Sequence, residues 1–156
     1  MHSPEILTDV VKSFTGKSPR GASAHFIKID DTWGIKVFRK PMERTPAYEM
    51  QKKMAGLGFA PRVGIMFDLP CGTPCYVTEI AQVLIDESVD EFNLTGEAWQ
   101  ERHELRQQVR IANEARITEL TEKMSDHGFH MEDGHIGNFG WLNGNFVCID
   151  FGEAGW

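Results

Sequence analysis

Asn143-Gly144 sits between two short apolar runs, Phe139-Gly140-Trp141-Leu142 and Asn145-Phe146-Val147-Cys148-Ile149. The Asn-Gly pair readily takes both left-handed positions of a type I′ turn, and apolar strands on either side make it the strongest short-range hairpin signal. Such a hairpin returns the chain on itself, so residues just before its first strand and just after its second share one end. Those residues are Asn138 and Asp150.

Upstream, the first third of the chain alternates like paired strands. Ala24-His25-Phe26-Ile27-Lys28-Ile29 and Trp33-Gly34-Ile35-Lys36-Val37-Phe38 flank the polar turn Asp30-Asp31-Thr32, which predicts a second hairpin. Thr45-Pro46 predicts a helix start, with Thr as N-cap and Pro at the first helical position, and Gly56 and Gly58 mark its end. Short apolar runs after Gly58 predict a strand and a turn, and Tyr76-Val77-Thr78-Glu79-Ile80 a further strand. Ser88-Val89-Asp90-Glu91 has the form of a capping box.

From about Glu97 to Asp126 there is neither glycine nor proline, and Leu105, Val109, Ala112, Leu120 and Met124 recur at helical spacing. One helix of that length would run roughly 45 Å, so a break or a projecting end is expected. Ile111 and Ile117 fall off that stripe, which predicts a second apolar face. It would be covered by a homo-oligomer or protein partner through the 97–126 segment, or by Ile6, Leu7, Val10 and Val11 folding back. Strands, helix, strands, helices and a final hairpin make an α+β chain.

Composition narrows the chemistry. The 156 residues carry a formal net charge of −7, which disfavours non-specific binding to nucleic acid. No apolar run is long enough to span a membrane, and no secretory leader is recognisable at Met1-His2-Ser3-Pro4-Glu5. Three cysteines, Cys71, Cys75 and Cys148, fit reduced thiols in the cytoplasm better than a structural zinc site.

Asp133-Gly134-His135-Ile136-Gly137-Asn138 places a carboxylate five residues ahead of Asn138, and Ile149-Asp150-Phe151-Gly152 follows the hairpin. Phosphoryl transfer needs oxygen ligands converging on Mg²⁺ and one carboxylate aimed at the attacking hydroxyl. On these residues the chain resembles the protein-kinase-like superfamily, including small-molecule kinases of the aminoglycoside phosphotransferase type. Their catalytic loop has the form Asp-x-x-x-x-Asn and is followed by Asp-Phe-Gly. The resemblance implies that Asp133 is the catalytic aspartate and that Asn138 and Asp150 are metal ligands. It further implies that Lys36 holds the α- and β-phosphates and serves catalysis, with Glu49 of the following helix as its partner. Gly16-Lys17-Ser18-Pro19-Arg20-Gly21 would be a glycine-rich loop, with Gly16, Ser18 and Gly21 against the nucleotide. The Glu79 carbonyl and Ala81 amide would meet adenine, with Thr78 limiting pocket depth.

The expected architecture is therefore one kinase-like domain with two lobes. A β-rich N-terminal lobe would span 1–80, and a strongly reduced C-terminal lobe 81–156. ATP and Mg²⁺ (or Mn²⁺) are the implied cofactors, and the implied activity is transfer of the γ-phosphate to a protein or small-molecule hydroxyl. The alternative is a pseudokinase or an inhibitory interaction module. Three departures bear on this choice. Met131 stands where the family has histidine, Ser18 replaces the loop's second glycine, and only four residues follow Gly152, so a peptide-binding platform is not expected.

Two other motifs compete for the same residues. Gly16-Lys17-Ser18 is not the end of a P-loop, because Val11 occupies the position of its first glycine. His127, His130, Glu132, Asp133 and His135 form a cluster that could take a transition metal, although a polar loop explains it more simply.

Overall fold

The computed structural model describes residues 2–13, 24–86, 89–131 and 134–151. Gly16, Ser18 and Gly21 of the expected glycine-rich loop lie outside these residues, as does Asp133. Among the described residues the chain is α+β, with three α-helices and two antiparallel sheets.

Helix α1 (Pro4–Ser13) precedes the hairpin of β1 (Ala24–Lys28) and β2 (Trp33–Phe38). Asp30 makes the turn: its Oδ1 accepts from the Thr32 and Trp33 amides, both at 2.8 Å. Those two bonds, Trp33 first, hold the Asp30 carboxyl below its ordinary pKa. Helix α2 (Pro41–Gly56) then crosses to β3 (Val63–Asp68) and β4 (Pro74–Glu79). The first sheet has the order β1-β2-β4-β3. Two residues, β5 (Gln82–Val83), pair with the later hairpin of β6 (Phe139–Leu142) and β7 (Asn145–Cys148) as a second sheet. The 31-residue helix α3 (Gly96–Asp126) lies between them in sequence.

The Asn143-Gly144 turn forms as expected. Both residues have positive φ, 51° and 82°, and Leu142 pairs with Asn145 across it. Helix α2, by contrast, begins earlier than Thr45. Pro41 takes the first helical position, and Pro46 stands inside the helix. The amide that Pro46 lacks would have bonded the Met42 carbonyl, on an exposed first turn.

Helix α3 is unbroken, so the expected break is absent and the projecting end is realised. Its inward face runs through residues 102, 106, 109, 113, 117, 120 and 124, but only Ile117, Leu120 and Met124 are buried. The apolar stripe read from the sequence holds at Val109, Leu120 and Met124 and fails at Leu105 and Ala112, which are exposed, while Ile117 belongs to the packed face. The N-terminal half of the inward face is held instead by ion pairs. Glu91 Oε1 accepts from Arg102 Nε and Arg106 Nε, both at 2.6 Å.

Two apolar clusters fill the interior. Leu7, Ile27, Ile35, Phe67, Cys75 and Val77 pack on one face of the first sheet. Leu7 of α1 thus covers that sheet and not α3. The larger cluster starts on the opposite face with Phe38 and Tyr76, passes Met54 of α2, and continues to Leu120, Met124, Phe129, Phe139 and Phe151. Among the described residues no helix is long and apolar enough to cross a membrane.

Candidate functional site

Lys36 stands in mid-strand on β2, paired with Phe26 on one side and Tyr76 on the other. Its ammonium points across the molecule and donates to the Ile149 carbonyl at 2.7 Å, a residue 113 positions away. The Ile149 amide in turn donates to the Asn138 carbonyl at 2.8 Å. One peptide segment after β7 therefore ties the first sheet to the loop before β6, with Asp150 next in the chain. The hairpin brings Asn138 and Asp150 together as its turn chemistry demands, since Phe139 pairs with Cys148 between them.

Burial pulls the Lys36 pKa below its ordinary value, and Asp150, the larger of two opposing charges, pulls it back up. A base whose folded pKa is depressed costs stability while it is ionised. That cost is full below the folded value and fades as pH climbs from the folded value toward the unfolded one.

Glu49 is not the partner of Lys36. On α2 the buried residues are Ala47, Gln51 and Met54, spaced four and three apart, and Glu49 lies two positions from both Ala47 and Gln51, about 200° around the helix. It is exposed. Gln51 occupies the place expected for the glutamate: its Oε1 accepts from Lys36 Nζ at 3.1 Å and from the Tyr76 hydroxyl at 2.6 Å. Its Nε2 donates to the Pro61 carbonyl at 3.0 Å and to Thr78 Oγ1 at 2.7 Å. All four hydrogen-bonding positions of this fully buried amide are used, and reversing its oxygen and nitrogen would set donors against donors.

Thr78, buried at the end of β4, passes the chain of bonds onward by donating to the Glu79 carbonyl at 3.2 Å. The Glu79 side chain is buried and paired with Arg62 at 2.8 Å. The hydrogen bonds from Arg62 hold its carboxyl below the usual range despite burial. The Glu79 amide donates to the Arg62 carbonyl, and Ile80 donates to Thr32. Ala81 follows, half-buried, at the exit from the first sheet.

Lys36, Asn138 and Asp150 are thus brought to one place, with Thr78, Glu79 and Ala81 along the strand that leaves it. An amide oxygen from Asn138 and a carboxylate from Asp150 are the hard oxygen donors that Mg²⁺ prefers. The histidines of the 127–135 segment do not share a site. His130 Nδ1 bonds Ser125 Oγ at 2.8 Å, while His135 Nδ1 accepts from the Gly137 amide. Among the described residues no three His, Cys, Asp or Glu side chains are grouped so as to hold a metal. All three cysteines are free; Cys75 and Cys148 are buried, which pushes both thiols up to about 12 and leaves them inert.

Gln51 was legible in principle. Placing the helix start at Pro41 and following the Ala47–Met54 face puts Gln51 inward, and a lone amide on an apolar face signals a buried polar partner. No protein-family model matches the chain, and no curated protein aligns with it.

Proposed function

We propose that the chain is a minimal two-lobed kinase-like protein that binds ATP with Mg²⁺ and transfers its γ-phosphate to a hydroxyl. The observation that carries this reading is the bond from Lys36 to the Ile149 carbonyl, beside Asp150 and Asn138. Three of the five polar residues that such chemistry requires, distant in sequence, meet there. In this reading Lys36 holds phosphate oxygens, Asn138 and Asp150 hold the metal, and Asp133 takes the proton of the acceptor hydroxyl. The bond from the γ-phosphorus to its bridging oxygen breaks, releasing ADP, as a bond to the acceptor oxygen forms. When bound, Mg²⁺ supplies neutralisation of the charge on the phosphates. The Glu79 carbonyl and Ala81 amide flank the expected adenine position.

The test is a thermal-shift titration. Mg-ATP at one hundred times its dissociation constant should stabilise the protein by about 2.7 kcal/mol. Lys36→Met should remove most of that gain with little change in the ligand-free melting temperature, because the cost of burying the ammonium offsets the bonds it makes. A melting curve indifferent to millimolar Mg-ATP would reject the nucleotide-binding reading.

A second reading, a protein that acts by binding a partner, draws on α3. Trp99 is 51% exposed and Ile111 71%, and α1 does not cover this helix. Large exposed apolar side chains on one element mark interfaces when they are contiguous. If they serve self-association, light scattering at micromolar concentration should report a mass above the monomer that Ile111→Glu reduces. A monomer unaffected by that substitution removes the homo-oligomer.

A further inference from the structure

A cavity of about 420 Å³ lies between the middle of α3 and the loop that begins at Gly134. Its size suits a small molecule. His103, Arg106 and Arg110 line it from α3 at successive helical turns, His135 closes it from the loop, and Ile117 and Ile136 supply apolar wall. Two guanidinium groups can only donate hydrogen bonds. His135 adds a third donor: its Nδ1 accepts from the Gly137 amide at 3.0 Å, so its remaining proton sits on Nε2. The ring of His103 is fixed by stacking on Trp99, 5.2 Å between centroids and 4° from parallel. Arg106 is oriented through its Nε by Glu91, while Arg110 has no ion-pair partner among the described residues. Among the described residues Glu114 is the one carboxylate in the lining, an acceptor for a neutral hydroxyl.

We infer that this cavity binds a small hydroxylated anion, a phosphomonoester or carboxylate, and that this anion is the phosphoryl acceptor. The first half rests on the donor-rich lining in a chain whose formal net charge is −7, where clustered arginines are not a general property of the surface. The second half rests on the kinase reading. The cavity wall includes Gly134 and His135, within four residues of Asn138 and directly after Asp133 in the chain. An acceptor anchored by its anion to Arg110 and His135 is held against the loop that follows, in sequence, the aspartate to which the kinase reading assigns its hydroxyl proton.

Glycerol 3-phosphate carries both groups and serves as the probe, with glycerol as the uncharged comparison. Histidine ring resonances followed by NMR should shift for His135 and His103 on adding millimolar glycerol 3-phosphate, and stay put with glycerol. Arg110→Glu, on an exposed helix position, should weaken the response roughly tenfold or more. Arg110→Gln, which keeps helix-forming character, should weaken it less. Absence of any shift, or a shift that Arg110→Glu leaves intact, overturns the cavity as an anion site. Mg-ATP thermal stabilisation of the same samples separates the two halves. Stabilisation without a histidine response overturns the cavity alone, whereas a histidine response without stabilisation overturns the kinase reading and with it the acceptor role.

Discussion

Gln51→Leu should lower the stability of the protein by about 3 kcal/mol or more, a drop in melting temperature of roughly 6–12 °C for a chain of this size. Leucine fills nearly the same volume, so the loss is not a cavity effect. It comes from taking a partner away from the groups that Gln51 satisfies: the Tyr76 hydroxyl, the Pro61 carbonyl, Thr78 Oγ1 and the Lys36 ammonium, which is left with the Ile149 carbonyl. Thr78 retains the Glu79 carbonyl as a partner, which keeps the estimate from rising further. Gln51→Glu should cost less, because a carboxylate still accepts from Lys36 and Tyr76 and lets Thr78 donate. Its remaining defect is an oxygen facing the Pro61 carbonyl. Thermal melts of both variants decide the matter; a Gln51→Leu protein that melts with the parent would mean the amide carries no net stability.

Asp133→Asn carries the largest kinetic expectation. If Asp133 accepts the proton of the attacking hydroxyl, the amide removes that base at constant volume, and transfer from radiolabelled ATP should fall by roughly 10²–10⁴-fold. Nucleotide affinity should remain, because the phosphates are assigned to Lys36 and the metal to Asn138 and Asp150. Asp150→Asn should give the opposite pattern, weakening the Mg²⁺-dependent part of ATP binding. Undiminished transfer by the Asp133 variant, measured against a cell extract as acceptor source, would take the role from that residue.

The parts of this fold that were legible in the sequence are those set by local chemistry. Asn143-Gly144 dictates a turn whatever surrounds it, and that turn alone places Asn138 near Asp150. Asp30 does the same for the first hairpin, through two bonds to its own turn. Helix phase was less legible, because it is decided by what a helix packs against. Thr45-Pro46 is the better local start signal, yet the helix begins at Pro41 behind Lys40, and its buried face is Ala47, Gln51 and Met54. The motif's order points to Glu49, and the phase turns it outward. Helix α3 misled in the same way. Its inward face changes from apolar at Ile117–Met124 to arginine at Arg102 and Arg106, so no single apolar stripe marks it. The cavity beside Gly134 has no sequence signature, since its lining joins residues from α3 and a loop that only the fold brings together.

The larger apolar cluster runs without interruption from Phe38 and Tyr76, through Met54, to Met124, Phe139 and Phe151. The Cys148 amide adds a bond to the Phe59 carbonyl across the same boundary. A shared interior of this kind makes the two sheets one cooperative unit, because parting them would bring buried aromatic rings into water. Lys36 and Asp150 therefore keep their relation by the same forces that keep the chain folded. Entry and departure of any ligand beside Lys36 and Asp150 would depend on loop motions and not on a hinge between rigid halves.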